Sequence, residues 1–396
     1  MAPPVWEVAD ILRRHGAAYC AQHALPAHQL RMMRALQLCR TATLGGHIER
    51  CGHCDQQRIS YNSCRNRHCP KCQNLARAQW IEQRKAELLP IAYFHVVFTI
   101  PEQLNSLALQ NKKVFYDLLF ATTAATLQTI ARDPKHLGAQ IGFFSILHTW
   151  GQTLTHHPHI HSVVTGGGLR PDRSGWVHCR QRFFLSVRVL SRLFRRLFLE
   201  ALQQAFQKEQ LSFHGNLKSL AHPPAFRALV APLGRCEWVV YAKPPFGGPQ
   251  QVIDYLGRYT HRVAIGNHRL RNVDNGQVTF QYKQYRAEDS QQAREMTLSA
   301  EEFIRRFLLH SLPPGFQRIR HYGLLASRPK QGNLALCRQF LNVPAIPPPT
   351  APDRKNVVRE RLLAPLLRCP HCQIGLLVRI LFLPSATGPP QPVNTS

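Results

Sequence analysis

Between residues 51 and 72 the chain reads CGHCDQQRISYNSCRNRHCPKC. So short and polar a segment cannot bury a core of its own, so a bound metal is the expected organiser. Cys51-x2-Cys54 and Cys69-x2-Cys72 form two knuckles with fourteen residues between them. Each knuckle offers two thiolates at a spacing that suits tetrahedral Zn2+, and the four cysteines are expected to hold one zinc. Cys39, His47, Cys64 and His68 lie in or beside the same stretch and supply ligands for a second ion, with His53 competing. Arg65, Arg67 and Lys71, placed between the ligands, suit contact with DNA. Cys369-Pro-His-Cys372 is half a site. Either it finds partners elsewhere, with Cys337 and His371 as candidates, or it is a remnant.

A second stretch, THHPHIHSVV (155–164), sets four histidines beside paired valines and ahead of Gly166-Gly167-Gly168. Valines announce a strand, and residues two apart on a strand share a face. His157, His159 and His161 therefore project together, with Ile160 opposite. Imidazoles converging on one face of a sheet make part of a metal site. The alternative is an exposed histidine-rich strand that binds nothing.

Fifty Lys and Arg against 22 Asp and Glu give a net charge of +28. Such an excess points to a polyanionic partner, of which nucleic acid is the commonest. A membrane surface competes, but the arginines are spread along the chain and not gathered beside one apolar segment. The start, MAPPVWEVADILRRHG, lacks the apolar core of a signal peptide, and the longest apolar run, Ile374 to Leu383, is broken by Arg379. A soluble protein of the cytoplasm, nucleoid-associated when bound to DNA and with no membrane partner, is expected. In that reducing setting twelve cysteines mean metal more readily than disulfides.

Four consecutive blocks are expected: a helical and zinc-binding domain (1–90), a domain of strands and helices carrying the histidine stretch (91–270), a hairpin and helical extension (271–343), and a Pro-rich tail with a lone Cys-x2-Cys (344–396). AYFHVVFTI (92–100), GAQIGFFSILHTW (138–150), HIHSVVTGG and CEWVVYAKPP (236–245) read as strands. Residues 111–131 and 188–208 read as helices, the latter with Arg188, Arg192, Arg195 and Arg196 on one face as a surface for phosphates. Asp274-Asn275-Gly276 predicts a hairpin turn, and Ser299 with Glu302 a capping box opening a helix.

In VIDYLGRYTHRVAIGNHRL, Tyr255 and Tyr259 stand four apart, on one face of a predicted helix. Alone they read as a packed aromatic pair, but Asp254, Arg258, His261 and Arg262 make the surroundings polar. With CRTATLGGH, YNSCRNRHCPKCQ, FHVVFTIPEQL, WGQTLTHHPHIHSVVTGGGL, YLGRYTHRVAIGNHRL and EEFIRRFLLHSLPPGFQRIRHYGLL in order, the chain resembles the insertion-sequence-ninety-one family of two-tyrosine HUH transposases, which move by a rolling-circle-like route. The likeness spans about residues 30 to 330 and departs beyond about residue 368, at Gln373 and the apolar tail.

The resemblance implies an α+β fold, with an N-terminal zinc-binding domain and an HUH-endonuclease-like domain of antiparallel sheet and helices on its face. It implies His159 and His161 as ligands of a catalytic Mg2+ or Mn2+, Tyr255 and Tyr259 as nucleophiles, and structural zinc in the cysteine cluster. Phe98-Thr99-Ile100 resembles the first motif of rolling-circle initiators. Gln152, Asp254 and His261 are candidates for a third metal ligand, Arg258 and Arg262 for DNA contact. The implied substrates are single-stranded DNA at element ends and target DNA, cut through 5′-phosphotyrosine intermediates and rejoined, without a nucleotide cofactor. Competing readings are a plasmid or phage replication initiator and a non-catalytic zinc-dependent DNA-binding protein derived from a transposase. A metal hydrolase would want more carboxylates near the histidines.

Overall fold

The computed structural model describes residues 5–85, 87–180, 184–243, 251, 264–283, 293–343 and 367–386. The chain order is α1 (Val8–Gln22), α2 (Ala27–Leu38), β1 (Gly46–Cys51), β2 (Gln57–Tyr61), α3 (Gln73–Lys85) and β3 (Tyr93–Thr99). Next come α4 (Asn105–Gln110), α5 (Lys112–Arg132), β4 (Gln140–Trp150), β5 (His156–Leu169) and β6 (Trp176–His178). After α6 (Val187–Gln207), α7 (Pro223–Leu233) and β7 (Val240–Lys243) follow β8 (Leu270–Asp274), β9 (Gln277–Lys283) and β10 (Ala293–Ser299). The last described elements are α8 (Ala300–Leu309), β11 (Ile319–Gly323), α9 (Lys330–Phe340) and β12 (Leu377–Leu383). Helices and wholly antiparallel pairings make this the expected α+β protein.

The described residues fall into two compact units that interleave in sequence. One lies within Met1–Gln83, His261–Ser311 and Pro347–Ser396, the other within Arg84–Thr260 and Leu312–Ile346. The segments of each unit are joined by long-range pairing. β12, in the supposed tail, pairs antiparallel with β1.

In the first unit, β12, β1 and β2 form one three-stranded sheet, and β10, β9 and β8 another. The first sheet is held by charge as well as by its ladder. Glu49 is buried in β1 and accepts from Arg58 Nε at 2.6 Å, Ser60 Oγ at 2.8 Å and the His47 ring at 3.0 Å. Burial pushes the Glu49 carboxyl up, but these three bonds outweigh it and hold it below its ordinary range. The predicted Asn275-Gly276 turn joins β8 to β9, with both residues at positive φ (47° and 70°). Ser299 Oγ caps α8 by accepting from Glu302 N–H at 3.2 Å. The Glu302 carboxylate does not complete the expected capping box but takes bonds from Arg305 and Arg306.

The second unit is built on the sheet β11-β4-β5-β3-β7, with β6 added to β5. Alternation along the strands gives its two faces different chemistry. Phe94, Val96, Phe98, Phe143, Leu147, Ile160 and Val164 point to one face and pack under α5 and α6, with the rings of Phe98 and Phe194 edge to face at 5.0 Å. Among the described residues α5 is the one helix long and apolar enough to cross a membrane, yet it buries Phe115, Leu119, Phe120 and Leu127 against the sheet. Its threonines fit that interior because Thr122 and Thr126 hydroxyls donate to the carbonyls four residues back at 2.7 Å. The Gly166–Gly168 run has a steric origin. A Cβ at Gly166 or Gly168 would lie 2.6 or 2.3 Å from the carbonyl oxygens of Ala92, just before β3, and Gln140 in β4.

His321 in β11 accepts from Arg84 Nη1 at 2.9 Å, while Glu87 binds Arg84 at 3.0 Å and Lys330 at 2.6 Å. Burial, helped by the charges of Arg84 and Lys330, pushes the His321 pKa down to about 4. As pH falls from about 6.5, the unfolded chain takes up this proton before the native state does, and stability drops until the native pKa is passed. His321→Gln keeps an acceptor but cannot titrate. Urea midpoints measured between pH 7 and pH 4 are expected to fall less steeply for this variant than for wild type, by about one proton's slope.

Candidate active site and metal centres

The other face of the β4-β5-β3 sheet carries the imidazoles. β5 pairs with β3 so that His161 faces Val97 and His159 faces Thr99, and with β4 so that His159 faces His148. Residues directly opposite in an antiparallel pair share a face, so His148 joins His159 and His161. One ring nitrogen from each of the three lies within 4.8 Å of the others. Ring centroids are 4.4 Å apart for His148–His161 and 4.8 Å for His159–His161. His157 shares this face, as expected from its spacing, but is not one of the three converging rings. His156 points to the core face and meets the Tyr116 hydroxyl at 3.0 Å.

Hydrogen bonds orient the ligand nitrogens. His159 Nδ1 lies 2.7 Å from the His157 carbonyl oxygen, which only accepts, so Nδ1 carries the proton and Nε2 the lone pair. His161 Nδ1 lies 2.8 Å from Nε2 of the buried His95 in β3. The tautomer that donates from His161 to His95 again leaves Nε2 for a ligand. Burial pushes His159 and His95 down to about 4 and lowers His157 as well. His159 and His95 are therefore neutral at pH 7, the form in which an imidazole binds metal. Three converging imidazole nitrogens, two of them oriented by hydrogen bonds, fit a divalent cation.

Sequence reasoning missed His148 and His95. His148 sits in the otherwise apolar IGFFSILHTW, and only the register of the β4–β5 hairpin puts it opposite His159. Of the third-ligand candidates, Gln152 lies in the turn between β4 and β5, while Asp254 and His261 fall outside the described residues. Tyr255, Tyr259, Arg258 and Arg262 also fall outside them.

The cysteines group differently from the expected set of Cys51, Cys54, Cys69 and Cys72. Cys69 and Cys72 meet Cys39 and Cys64, while Cys51 and Cys54 meet Cys369 and Cys372. In the first group Sγ–Sγ distances are 3.5 Å (Cys39–Cys72), 3.6 Å (Cys64–Cys72) and 3.5 Å (Cys39–Cys69). Tetrahedral bonds of about 2.3 Å to one zinc set sulfurs about 3.8 Å apart, whereas a disulfide needs about 2.05 Å. The physical reason for the regrouping is local. β1 and β2 run between the two expected knuckles and carry Cys54 to a different cluster from Cys69. His47 is engaged with Glu49, and neither it, His53 nor His68 joins a cysteine group. Cys337, proposed for the Cys369 pair, is buried in α9.

The candidate DNA contacts also divide. Arg65 is exposed and Arg67 half-buried, while Lys71 Nζ binds Glu7 Oε2 at 2.7 Å and the Cys39 carbonyl at 3.1 Å. On α6, Arg188, Arg192 and Arg196 are exposed, and Arg195 donates to the Cys236 carbonyl at 2.6 Å.

Comparison with known proteins identifies the family. A family model described as "Transposase zinc-binding domain" matches residues 11–100, and one described as "Putative transposase" matches residues 142–332. The "Transposase for insertion sequence element IS801" of Pseudomonas savastanoi pv. phaseolicola is 30% identical over 76% of this chain and 70% of its own length. The chain belongs to the insertion-sequence-ninety-one family of transposases. The family member described as "Putative transposase y4qJ", from Sinorhizobium fredii, is 56% identical over 98% of both chains. No solved structure matches this transposase.

Cys39→Ser separates the two possible cysteine sets. If Cys39, Cys64, Cys69 and Cys72 hold an ion, elemental analysis of the purified transposase is expected to show one zinc fewer per chain in this variant. A set of Cys51, Cys54, Cys69 and Cys72 would leave its zinc content unchanged.

Proposed function

We propose that this transposase nicks single-stranded DNA at element ends by tyrosine attack, with His148, His159 and His161 holding the divalent cation that assists it. The observation that carries this reading is the convergence of three imidazole nitrogens within 4.8 Å on the face of the sheet turned away from α5 and α6, in a chain of this family. A Mg2+ or Mn2+ ion held there would polarise the scissile phosphodiester and offset its developing charge.

The chain's own groups do the rest. The three rings bring their nitrogens together, and His95 fixes the orientation of His161 through their shared hydrogen bond. Tyr255 or Tyr259 attacks phosphorus, giving a 5′-phosphotyrosine and a free 3′-OH. A phenol of ordinary pKa near 10 is a weak nucleophile at neutral pH, so the reaction needs the assistance above. The phosphoester bond is conserved in the covalent link, and attack by a 3′-OH rejoins strands without ATP. A second tyrosine allows a second exchange while the first link persists, as a rolling-circle route requires.

The substrate follows from charge and access. A net charge of +28 suits the phosphate backbone, and single strands let a scissile phosphate reach a recessed site. On α6, Arg192, Arg195 and Arg196 line a groove of about 380 Å3 that suits a strand's phosphates. Arg65, Arg67, Arg188, Arg258 and Arg262 extend the candidate contacts, with target DNA as the second substrate and the cytoplasm, at the nucleoid, as the place of action.

The direct test is adduct formation on a labelled single-stranded end sequence with Mn2+. Tyr255→Phe and Tyr259→Phe are each expected to keep some nicking, and the double variant to form no covalent adduct on a denaturing gel. A double variant that still forms the adduct would show that the nucleophile lies elsewhere. His148→Ala is expected to weaken Mn2+ binding, measured by calorimetry, at least as much as the ~10–100-fold loss typical of an orienting partner such as His95. Unchanged affinity in His148→Ala would remove it from the ligand set.

A further inference from the structure

We propose a second zinc site, built from Cys51 and Cys54 in the N-terminal hairpin and from Cys369 and Cys372 three hundred residues later, that clasps strand β12 onto β1. Half of its ligands lie outside both matched family regions, which end at residue 332. The four sulfurs lie within 4.8 Å of one another, with Cys51–Cys372 and Cys54–Cys369 both at 3.7 Å. These separations match the sulfur spacing around tetrahedral zinc and are far too long for a disulfide.

The two halves are built alike. Cys51-Gly-His-Cys54 is followed by Asp55 at φ 54°, and Cys369-Pro-His-Cys372 by Gln373 at φ 56°. A left-handed residue after each knuckle folds the next main-chain N–H groups back toward the sulfurs. Asp55 N–H donates to the Cys51 carbonyl at 3.1 Å and Gln373 N–H to the Cys369 carbonyl at 2.9 Å, the same bond in each half. His53 N–H lies 3.4 Å from Cys51 Sγ, and Gly375 N–H lies 3.4 Å from Cys372 Sγ. Such donors stabilise thiolates, and two facing knuckles backed by a three-stranded sheet form the frame of a zinc ribbon.

The surroundings are also shaped for the closed arrangement. Cys51 and Cys369 are buried, and Leu377 packs on them. A Cβ at Gly375 would lie 2.5 Å from Cys51 Sγ and 2.6 Å from the His53 Cβ, so only glycine lets the knuckles approach. Beyond the cluster, Gly52 N–H donates to the Leu376 carbonyl at 3.0 Å, and β12 continues in register with β1 from Cys51↔Leu377 to Gly46↔Leu383. β12 itself buries little apolar surface, since Val378, Ile380, Leu381 and Phe382 are all exposed. Its ladder alone is a weak anchor, and the metal supplies what side-chain burial does not.

The experiment uses the full-length chain. Elemental analysis is expected to give two zincs per wild-type chain, and one in each of three variants: Cys369→Ser/Cys372→Ser, Gly375→Ala and Cys39→Ser. Hydrogen exchange read by mass spectrometry is expected to speed at least tenfold over residues 377–383 in Cys369→Ser/Cys372→Ser while the β4–β5 amides stay unchanged. Should a variant not fold, cobalt loading of the wild-type chain decides the matter: thiolate charge-transfer absorption that keeps rising until two equivalents are bound to sulfur supports the site, whereas the histidine site adds none. One equivalent of metal in wild type, unchanged zinc in Cys369→Ser/Cys372→Ser, iron in place of zinc, or a Cys51–Cys372 disulfide by intact mass would each overturn the proposal. These readouts do not involve DNA cleavage, so failure of the proposed nicking reaction leaves them standing.

Discussion

The two-residue alternation of β5 is the constraint on which the second unit depends. Ile160 and Val164 turn toward α5 and α6 and anchor the apolar core, which obliges His159 and His161 to face the other way. A slip of one residue would drive the imidazoles in among the phenylalanines packed under α5 and α6. The same alternation in β4 keeps Phe143 and Leu147 in the core and turns His148 outward beside His159. Core packing and placement of the imidazoles are therefore one requirement. The helices hold the register, and the register holds the nitrogens together.

The first unit answers a different problem. Around the cysteines there is little apolar surface to bury, and order comes from thiols, a buried carboxylate and backbone turns. Residues directly after four cluster cysteines, Arg40, Asp55, Arg65 and Gln373, take left-handed backbone conformations. Such conformations cost about 1–3 kcal/mol where side chains are unfavourable, and they persist when surrounding contacts over-determine them. Glu49 with Arg58, Ser60 and His47 adds a charge-assisted link across the β1–β2 hairpin. Lys71, spaced like a DNA contact in sequence, instead joins Glu7 to the end of α2 at Cys39.

Much of this was legible in the sequence wherever the physics is local. β-branched and aromatic runs gave β3, β4 and β5, Asn275-Gly276 gave the β8–β9 turn, and Ser299 gave the start of α8. What stayed hidden depends on contacts between distant segments. His148 gains its meaning only from the strand pairing that sets it against His159. The partition of cysteines was hidden for the same reason, although the chain offered a clue. Three Cys-x2-Cys pairs with Cys39 and Cys64 make eight sulfurs, which two all-sulfur sites use completely and one site with a leftover half does not. β12 was missed because its alternating residues are both apolar and exposed, so burial left no periodic mark.

The pairing of β1 with β12 has a consequence for how this chain is made. The hairpin leaves the ribosome early, yet the strand that completes its sheet is about 330 residues further on. At about 5–20 residues per second, the gap lasts roughly 15–70 s. Throughout that interval the outer side of β1 presents unpaired amides and carbonyls, a template open to other nascent chains. Arg50, exposed on that hairpin, is the kind of charged side chain that discourages such pairing.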